Sequence, residues 1–176
     1  MEVRRGAREK ASPFPSMKNS LLTLCSLVLL GSLVQAEEFD LKASIERGKG
    51  VYMQTCIACH QPTGLGLPGV FPPLAGTEYT GGEARRMIAM TLKGVNPPLK
   101  VKEMTYAVPM PPLPTQFPIL VDDNKLADVI NYVRNSFGNK DDKGVTPAMI
   151  DEVRKEFTSR TTPWTEAELQ KFPEKK

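Results

Sequence analysis

The first regular pattern of apolar positions in the chain leads into a segment that contains two cysteines. In the stretch "LKASIERGKGVYMQT", Leu41, Ile45, Gly48 and Tyr52 recur at the spacing of one helix face. Asp40 precedes this face and is a good N-cap residue, because its carboxylate can accept a hydrogen bond from a free amide of the first turn. The pattern therefore predicts a helix over residues 41–55.

Two further helices are predicted before residue 140. The stretch "EARRMIAMTLKG" places Ile88, Leu92 and Val95 on one face, and Gly94 is expected to end the helix. The clearest pattern is "DDNKLADVINYVRNSFG", which begins with acidic residues and is expected to close at Gly138. Its apolar face is formed at positions i, i+3, i+4 and i+7 by Leu126, Val129, Ile130 and Val133. Both stretches are predicted to be amphipathic helices.

The carboxyl-terminal part of the chain predicts two more helices after the polar segment "GNKDDKG". Thr146 is expected to cap the first of them, with Pro147 at its first helical position. Its buried face is expected to contain Ile150, Val153 and Phe157. In "TEAELQKF", Thr165 and Glu168 have the spacing of a capping box. Residues 140–176 are therefore predicted to form a helical extension behind a polar hinge.

The segments between the central helices are rich in proline. The prolines cluster at residues 62–73 and 97–118, where they would interrupt helices and central strands. No run of residues alternates as a sheet strand does, and no internal repeat is present. The predicted fold class is all-α, with two long proline-rich loops.

Residues 1–36 have the pattern of an export signal. After Met17 come a lysine, an apolar stretch from Leu21 to Val34, and "VQA" before the first acidic residues. The apolar stretch is short for a bilayer span, so we expect cleavage after Ala36 and no stable membrane anchor. The residues before Met17 are either a long basic leader or the product of a start codon placed too early. Cys25 is interpreted as an apolar residue of the signal and not as a lipidation site.

Composition and charge restrict the kinds of partner. Hydrophobic residues make up 40% and charged residues 24% of the chain, which is typical of a globular protein. The formal net charge of +3 comes from the leader, because basic and acidic residues balance from residue 37 onward. The charge therefore does not indicate binding to nucleic acid or to an anionic membrane.

Cys56, Cys59 and the only histidine of the chain, His60, stand together in "CIACH". A structural zinc site would need four ligands, and the chain lacks the second cysteine pair that usually supplies them. A redox dithiol is typical of a strand-to-helix junction, whereas this motif follows a predicted helix. Haem attachment uses all three residues, since two sulfurs can bond the vinyl groups while the adjacent imidazole binds iron. The motif therefore favours covalent haem c over the other two chemistries.

The stretch "GKGVYMQTCIACHQPTGLGLPGVFPPLAG", followed by "MPP" and "LADVINYVRNSFGN", resembles the class I c-type cytochromes. The likeness is greatest to single-haem domains of bacterial respiratory and dehydrogenase chains, and it covers residues 39–139. It implies a cytochrome c-like helical fold around one covalently bound haem. The chain would then consist of a leader over residues 1–36, a cytochrome c domain over 37–139 and the extension over 140–176.

The second axial ligand of the iron is expected to be a methionine, because the chain has no second histidine. Four methionines fall on predicted helices, where packing explains them: Met53, Met87, Met90 and Met149. Met104 and Met110 lie in the loop "KVKEMTYAVPMPPLPTQ", and prolines on both sides of Met110 stiffen the backbone there. Met110 is the predicted ligand and also matches the family's methionine before its last core helix. Met104 and an exchangeable position remain alternatives.

The resemblance also implies supporting roles. In the related cytochromes a proline carbonyl accepts a hydrogen bond from the haem-ligating histidine, and "PPLAG" places Pro72 at that position. A simple loop-breaking role for Pro72 is the alternative. Gly48 and Tyr52 match a small and an aromatic residue at the crossing of the first and last core helices. Tyr106 is a candidate for contact with a haem propionate.

These observations predict a periplasmic electron carrier and not an enzyme. Two filled axial positions leave no place for a substrate, so the iron would cycle between Fe(II) and Fe(III) in transient contact with redox partner proteins. The alternative is a dedicated cytochrome subunit of a larger exported dehydrogenase or reductase. The extension around Trp164 would then hold the catalytic subunit, unless it simply covers the core. A haem enzyme or gas sensor with a displaced methionine is a third hypothesis.

Overall fold

The computed structural model describes residues 38–172, so the predicted leader, the cleavage site after Ala36 and Cys25 lie outside the described part. The helices are α1 (Leu41–Thr55), α2 (Ile57–His60), α3 (Glu78–Gly81), α4 (Ala84–Lys93), α5 (Leu113–Gln116), a 3₁₀ turn (Pro118–Val121), α6 (Asp123–Arg134), α7 (Pro147–Glu156) and α8 (Glu166–Gln170). An antiparallel hairpin joins β1 (Leu99–Val101) to β2 (Met104–Tyr106), with Leu99 opposite Tyr106. From Phe39 onward the chain forms one compact unit. Over residues 38–172, no helix has the length and apolar character that a membrane span requires.

The ends of the predicted helices are set largely by local capping. The Asp40 carboxylate accepts a hydrogen bond from the amide of Ala43 at 3.0 Å, which begins α1 at the predicted residue. Gly94 ends α4 with a φ of +79°, a conformation that glycine adopts without strain. Thr146 caps α7, with Pro147 as its first residue, and both bonds of the capping box between Thr165 and Glu168 are present. These predictions are confirmed.

Three expectations were wrong in detail. α6 ends at Arg134 and not near Gly138, because the chain turns away over Asn135 and reaches left-handed φ values at Phe137 and Gly138. Val95 does not extend the apolar face of α4, since it lies beyond Gly94 in extended backbone. The second proline-rich segment contains the hairpin, whose three-residue strands are too short to produce a recognisable alternation.

The crossing of α1 and α6 is the closest contact between two elements of the core. A Cβ atom at Gly48 would overlap the backbone carbonyl of Asp128, so only glycine allows this approach. Tyr52 is fully buried beside it, with its ring 5.3 Å from the ring of Tyr132 and 5.4 Å from that of Phe137. The helix that carries the CIACH motif is thereby fixed against α6.

The carboxyl-terminal helices pack directly on this core. Ile150 and Val153 of α7 are fully buried, and α7 packs against both α4 and α6. Trp164 is 5% exposed, and its ring makes edge contacts with Phe157 and Phe172 at 5.0 and 5.4 Å between centroids. The described part of the extension therefore covers apolar surface of α4 and α6.

Candidate haem-binding site

The CIACH motif lies on a short helical turn that continues the line of α1. The amide of Cys56 donates to the carbonyl of Tyr52 at 3.0 Å, and the amide of His60 donates to the carbonyl of Cys56 at 2.9 Å. The turn ends at Gln61, whose carbonyl accepts a hydrogen bond from the Tyr52 hydroxyl at 2.6 Å. Both cysteines are half-buried and form no disulfide with each other. The same tyrosine that packs α1 on α6 therefore also supports the end of the motif.

The motif opens onto a largely apolar cavity of about 300 Å³. Six parts of the chain form its wall: the CIACH turn, the loop at residues 71–74, residues 77–80 around α3, one face of α4, the segment between residues 95 and 117, and α6. Val129, Ile130 and Val133 of α6 contribute apolar side chains to the wall. The helix face that the sequence predicted to be buried thus lines the cavity as well as the protein core.

His60 is held in one orientation by the loop that follows it. Its Nδ1 lies 2.9 Å from the carbonyl oxygen of Pro72, the carbonyl that the resemblance singled out. A carbonyl can only accept, so Nδ1 carries the proton and Nε2 keeps its lone pair for a metal ion. Burial lowers the pKa of His60 below its ordinary value, although the contact with Pro72 acts in the opposite direction. The neutral form is the one that can bind iron.

The surroundings of the two cysteines do not suit zinc binding or thiol redox chemistry. Across residues 38–172, no group of three or more His, Cys, Asp and Glu residues could hold a metal ion. Burial raises the pKa of Cys56, partly offset by its hydrogen bond with Thr55, so the reactive thiolate is scarce at neutral pH. Two thiols and an imidazole at the edge of a large apolar cavity are what covalently attached haem requires. The residues present therefore fit this group.

The two methionines of the second proline-rich segment lie in different places. Met110 is half-buried and lines the cavity. Its backbone pairs with Val95, since each amide donates to the other's carbonyl, at 2.8 and 3.0 Å. Met104 is 41% exposed, is not among the residues that line the cavity, and accepts a hydrogen bond at Sδ from the amide of Gly69. The fold thus brings Met110, and not Met104, into the same cavity as His60.

Several residues of the cavity wall were missed by sequence reasoning. Met87 and Met90 of α4 line the cavity, although their helical positions predicted ordinary packing. Tyr79 of α3 is buried and lines the cavity too, as does Tyr106. The i, i+3 spacing of the two α4 methionines is the signal that could have found them, since it puts both on one helix face. The contact of Tyr106 with a propionate stays a prediction.

Comparison with known proteins gives a consistent result. Residues 45–137 match the model of the cytochrome c family. Cytochrome c-552 of Thermus thermophilus is 35% identical over 146 residues, which is 80% of this chain and 89% of that protein. The cytochrome c subunit of alcohol dehydrogenase (quinone) from Gluconacetobacter polyoxogenes is 30% identical over 61% of this chain and 22% of its own length. The cytochrome c subunit of gluconate 2-dehydrogenase from Pantoea cypripedii is 31% identical over 64% and 25%.

The match to the family model covers more than half of the chain and includes both the CIACH turn and α6. It coincides with the segment that forms most of the cavity wall. The helical fold, the cysteine pair beside a histidine and the apolar cavity agree with that match. The chain therefore belongs to the cytochrome c family, has a cytochrome c-like helical fold and carries covalently bound haem c.

Proposed function

We propose that this protein is a single-haem electron carrier of the periplasm, in which Cys56 and Cys59 hold the haem and His60 and Met110 bind its iron. The observation that carries the proposal is that one cavity receives the CIACH turn on one side and Met110 from a different part of the chain. Bound haem c supplies a one-electron Fe(II)/Fe(III) couple. The protein's own residues hold, orient and shield that group.

His60 is the proposed proximal ligand, and Pro72 orients it. The hydrogen bond from Nδ1 to the Pro72 carbonyl restricts rotation of the ring and keeps Nε2 directed away from that carbonyl. The same bond increases the basicity of the imidazole as a ligand. Pro72 thus contributes through its backbone, which explains why a loop residue without a polar side chain matters at the site.

Met110 is the proposed distal ligand. The backbone on both sides of it is restricted by three prolines, Pro109, Pro111 and Pro112. Its two backbone hydrogen bonds with Val95 fix its position in the wall of the cavity. A thioether and an imidazole that together hold the haem iron would raise its reduction potential and would leave no site for a substrate on it. We therefore infer that the protein transfers electrons and does not act as an enzyme on a bound substrate.

The periplasmic location rests on the pattern of residues 17–36, with its lysine, apolar stretch and small residues before an acidic start. We infer that this segment is a signal peptide cleaved after Ala36. Determination of the amino terminus of the mature holoprotein tests this inference.

Replacement of Met110 tests the proposed ligand set. Oxidised wild-type protein should show the methionine-to-iron charge-transfer band, and the reduced protein should not bind carbon monoxide. Met110→Ala should lose the band, give a high-spin spectrum and bind carbon monoxide, because its axial position becomes free. Optical spectra of both oxidation states measure these changes.

Met104→Ala is the matched control, since Met104 belongs to the same segment but lies outside the cavity wall. It should leave the charge-transfer band unchanged. The opposite result, in which Met104→Ala removes the band and Met110→Ala keeps it, would reassign the ligand. A wild-type protein that is high-spin and binds carbon monoxide would contradict the carrier function itself.

A second candidate function is that of a cytochrome subunit in a larger exported dehydrogenase. The observation in its favour is the similarity to two proteins named as dehydrogenase cytochrome c subunits, at 30% and 31% identity. Those alignments span only 22% and 25% of the relatives, whereas the alignment with cytochrome c-552 spans 89% of that protein, which supports the separate carrier. Stable co-purification with a catalytic subunit from the native source would favour the second candidate.

A further inference from the structure

The carboxyl-terminal extension is connected to Met110 by a ladder of backbone hydrogen bonds. Val95 lies in the middle segment and pairs with Met110 through two backbone hydrogen bonds, of 2.8 and 3.0 Å. On the opposite edge of the Val95 segment, the amide of Trp164 donates to the carbonyl of Gly94 at 2.9 Å. The amide of Asn96 donates to the carbonyl of Trp164 at 2.8 Å. Three segments that are far apart in sequence thus lie side by side at the cavity wall.

The Val95 segment pairs with Met110 along one edge and with Trp164 along the other. In an extended strand, the polar groups of successive residues point alternately to the two sides. Val95 therefore faces Met110, whereas the carbonyl of Gly94 and the amide of Asn96 face outward. Without Trp164 these two groups would have to bond water, and the Met110 pair would be an isolated bridge at the edge of the molecule.

The side chain of Trp164 is buried and is held by contacts with other parts of the chain. Its indole Nε1 donates to the carbonyl of Ala89 in α4 at 3.0 Å, and the Arg160 guanidinium lies 3.8 Å from the ring centroid. Its ring also contacts the rings of Phe157 and Phe172. The ladder is therefore fixed at one end to the buried aromatic cluster of the extension.

Two neighbouring contacts support the same arrangement. The carboxylate of Glu166, two residues after Trp164, accepts a hydrogen bond from the amide of Lys100 at 3.1 Å. At the other end, a Cβ atom at Gly94 would lie 2.5 Å from the carbonyl oxygen of Met110, so the methionine segment passes directly over a glycine. The extension thus holds the start of the loop from 95 to 110, and Met110 closes that loop on Val95.

We propose that Trp164 is a positioning residue for Met110, through which the extension keeps the methionine segment closed over the cavity. The part of this inference that concerns iron ligation rests on the proposed function of Met110, whereas the ladder itself does not. The methionine segment can open only when the two hydrogen bonds between Val95 and Met110 break. The free energy of this opening is higher when the Val95 segment is also bonded to Trp164 on its other edge. Loss of Trp164 should lower that free energy without removing any group from the cavity.

Competition by imidazole measures this opening in the oxidised holoprotein. Imidazole binds the iron only when Met110 has left it, so its apparent affinity increases with the population of the open form. Trp164→Ala should raise the affinity at least about tenfold. Trp164→Phe should raise it less, because phenylalanine keeps an aromatic ring in the cluster and loses the bond to Ala89 and part of the indole's volume.

Val153→Ala is the matched control for general destabilisation. Val153 is fully buried in α7 of the same extension, and its backbone has no part in the ladder. This variant should lower the Tm, by less than Trp164→Ala does because fewer buried atoms are lost, and change the imidazole affinity by less than about twofold. If the two variants raise the affinity in proportion to their losses of Tm, the positioning role is wrong.

Hydrogen exchange gives a second measurement that does not depend on the iron ligand or on Trp164→Ala being folded. In Trp164→Phe, the amide of Met110 should exchange faster than in the wild type, whereas the amide of Tyr52 in α1 should keep its rate. Unchanged exchange at Met110 would contradict the ladder. If Met110→Ala leaves the spectrum unaltered while this exchange result is as expected, the proposed ligand is wrong and the ladder stands.

Discussion

At the scale of single residues, backbone proximity decides which positions tolerate a side chain. α1 contains two glycines only two positions apart, Gly48 and Gly50, and their surroundings are opposite. A Cβ at Gly48 would overlap the Asp128 carbonyl of α6, whereas nothing lies within 4 Å of a Cβ at Gly50. The intrinsic preference of a helix interior for alanine is the same at both positions. Any difference in stability between alanine variants at the two positions therefore results from the close approach of α1 and α6.

Gly48→Ala should destabilise the holoprotein by ~3 kcal/mol, because the obstructing atoms are backbone and cannot rotate away. Gly50→Ala should stabilise it by about 0.5–1 kcal/mol, since alanine costs less conformational entropy in a helix. Unfolding by guanidinium chloride measures both. Changes of the same sign in the two variants would contradict the close approach of α1 and α6.

At the scale of elements, caps matter for short helices because most of the amides of such a helix have no partner within it. α8 has only five residues, and its capping box satisfies amides at Thr165 and Glu168. The Glu168 carboxylate also pairs with the Arg160 guanidinium at 2.8 Å. This pair and the capping bonds lower the pKa of Glu168 from 4.5 to about 2. Since the folded-state pKa is depressed, the ionised group adds stability above about pH 4.5, and that stability is lost as the pH falls towards 2.

Glu168→Gln should therefore lower the Tm at neutral pH and have progressively less effect in acid. Glutamine can still complete a capping box, so the variant removes mainly the charge that Arg160 stabilises. The difference in Tm between wild type and variant should shrink as the pH is lowered from about 5 to about 2. Melting curves of the two holoproteins at each pH test this, and a constant difference would contradict it.

At the scale of the whole molecule, a buried polar cluster joins the family domain to the extension. Asn131 of α6 is fully buried, and its side chain donates to the Ser44 hydroxyl of α1 and to the carbonyl of Val145 at 2.9 and 2.8 Å. The side-chain oxygen Oδ1 of Asn131 accepts a hydrogen bond from the amide of Val145 at 2.6 Å. The Asn131 side chain thereby forms hydrogen bonds with both backbone polar groups of Val145, the residue before the N-cap of α7. The extension and the core should unfold together.

Asn131→Ala should destabilise the holoprotein by on the order of 3 kcal/mol, because it leaves the two polar groups of Val145 buried without a partner. Asn124→Ala, an exposed change on the same helix, should cost only a few tenths. Tryptophan fluorescence reports the extension, and haem absorbance reports the core. In the wild type both probes should give one transition, and separate transitions would show that the extension unfolds independently.

Local signals explain why much of the fold could be predicted from the sequence. Asp40, Thr146 and the box from Thr165 to Glu168 begin their helices at the predicted residues, because a cap acts on amides at most three residues away. Prediction was poorer at Gly138 and in the hairpin at residues 99–106. After Gly138 the chain's course depends on a distant segment, because the Asn139 side chain bonds the backbone of Leu74 and Gly76. The three-residue strands of the hairpin are too short to leave a periodic pattern.

The same division applies to the candidate site. Cys56, Cys59 and His60 are adjacent in sequence, so haem attachment could be inferred from their spacing alone. Met87 and Met90 were assigned to packing because helical periodicity shows which residues share a face and not what that face meets. Met110 could be ranked above Met104 from its prolines, but only the fold places one in the cavity wall and the other outside it.

The sequence by itself thus determined α1, α4, α6, α7 and α8, most of their caps and the attachment motif, because each depends on residues within a few positions of one another. The prediction of a methionine ligand came instead from the presence of a single histidine in the chain. The tertiary structure alone decided which methionine shares a cavity with His60, that Pro72 holds the histidine ring, and that Trp164 pairs with the Val95 segment. These pairings join residues that are 12 to about 70 positions apart. Their geometry depends on how α1, α4, α6 and the extension pack, since only a complete core brings such distant backbones within hydrogen-bonding distance.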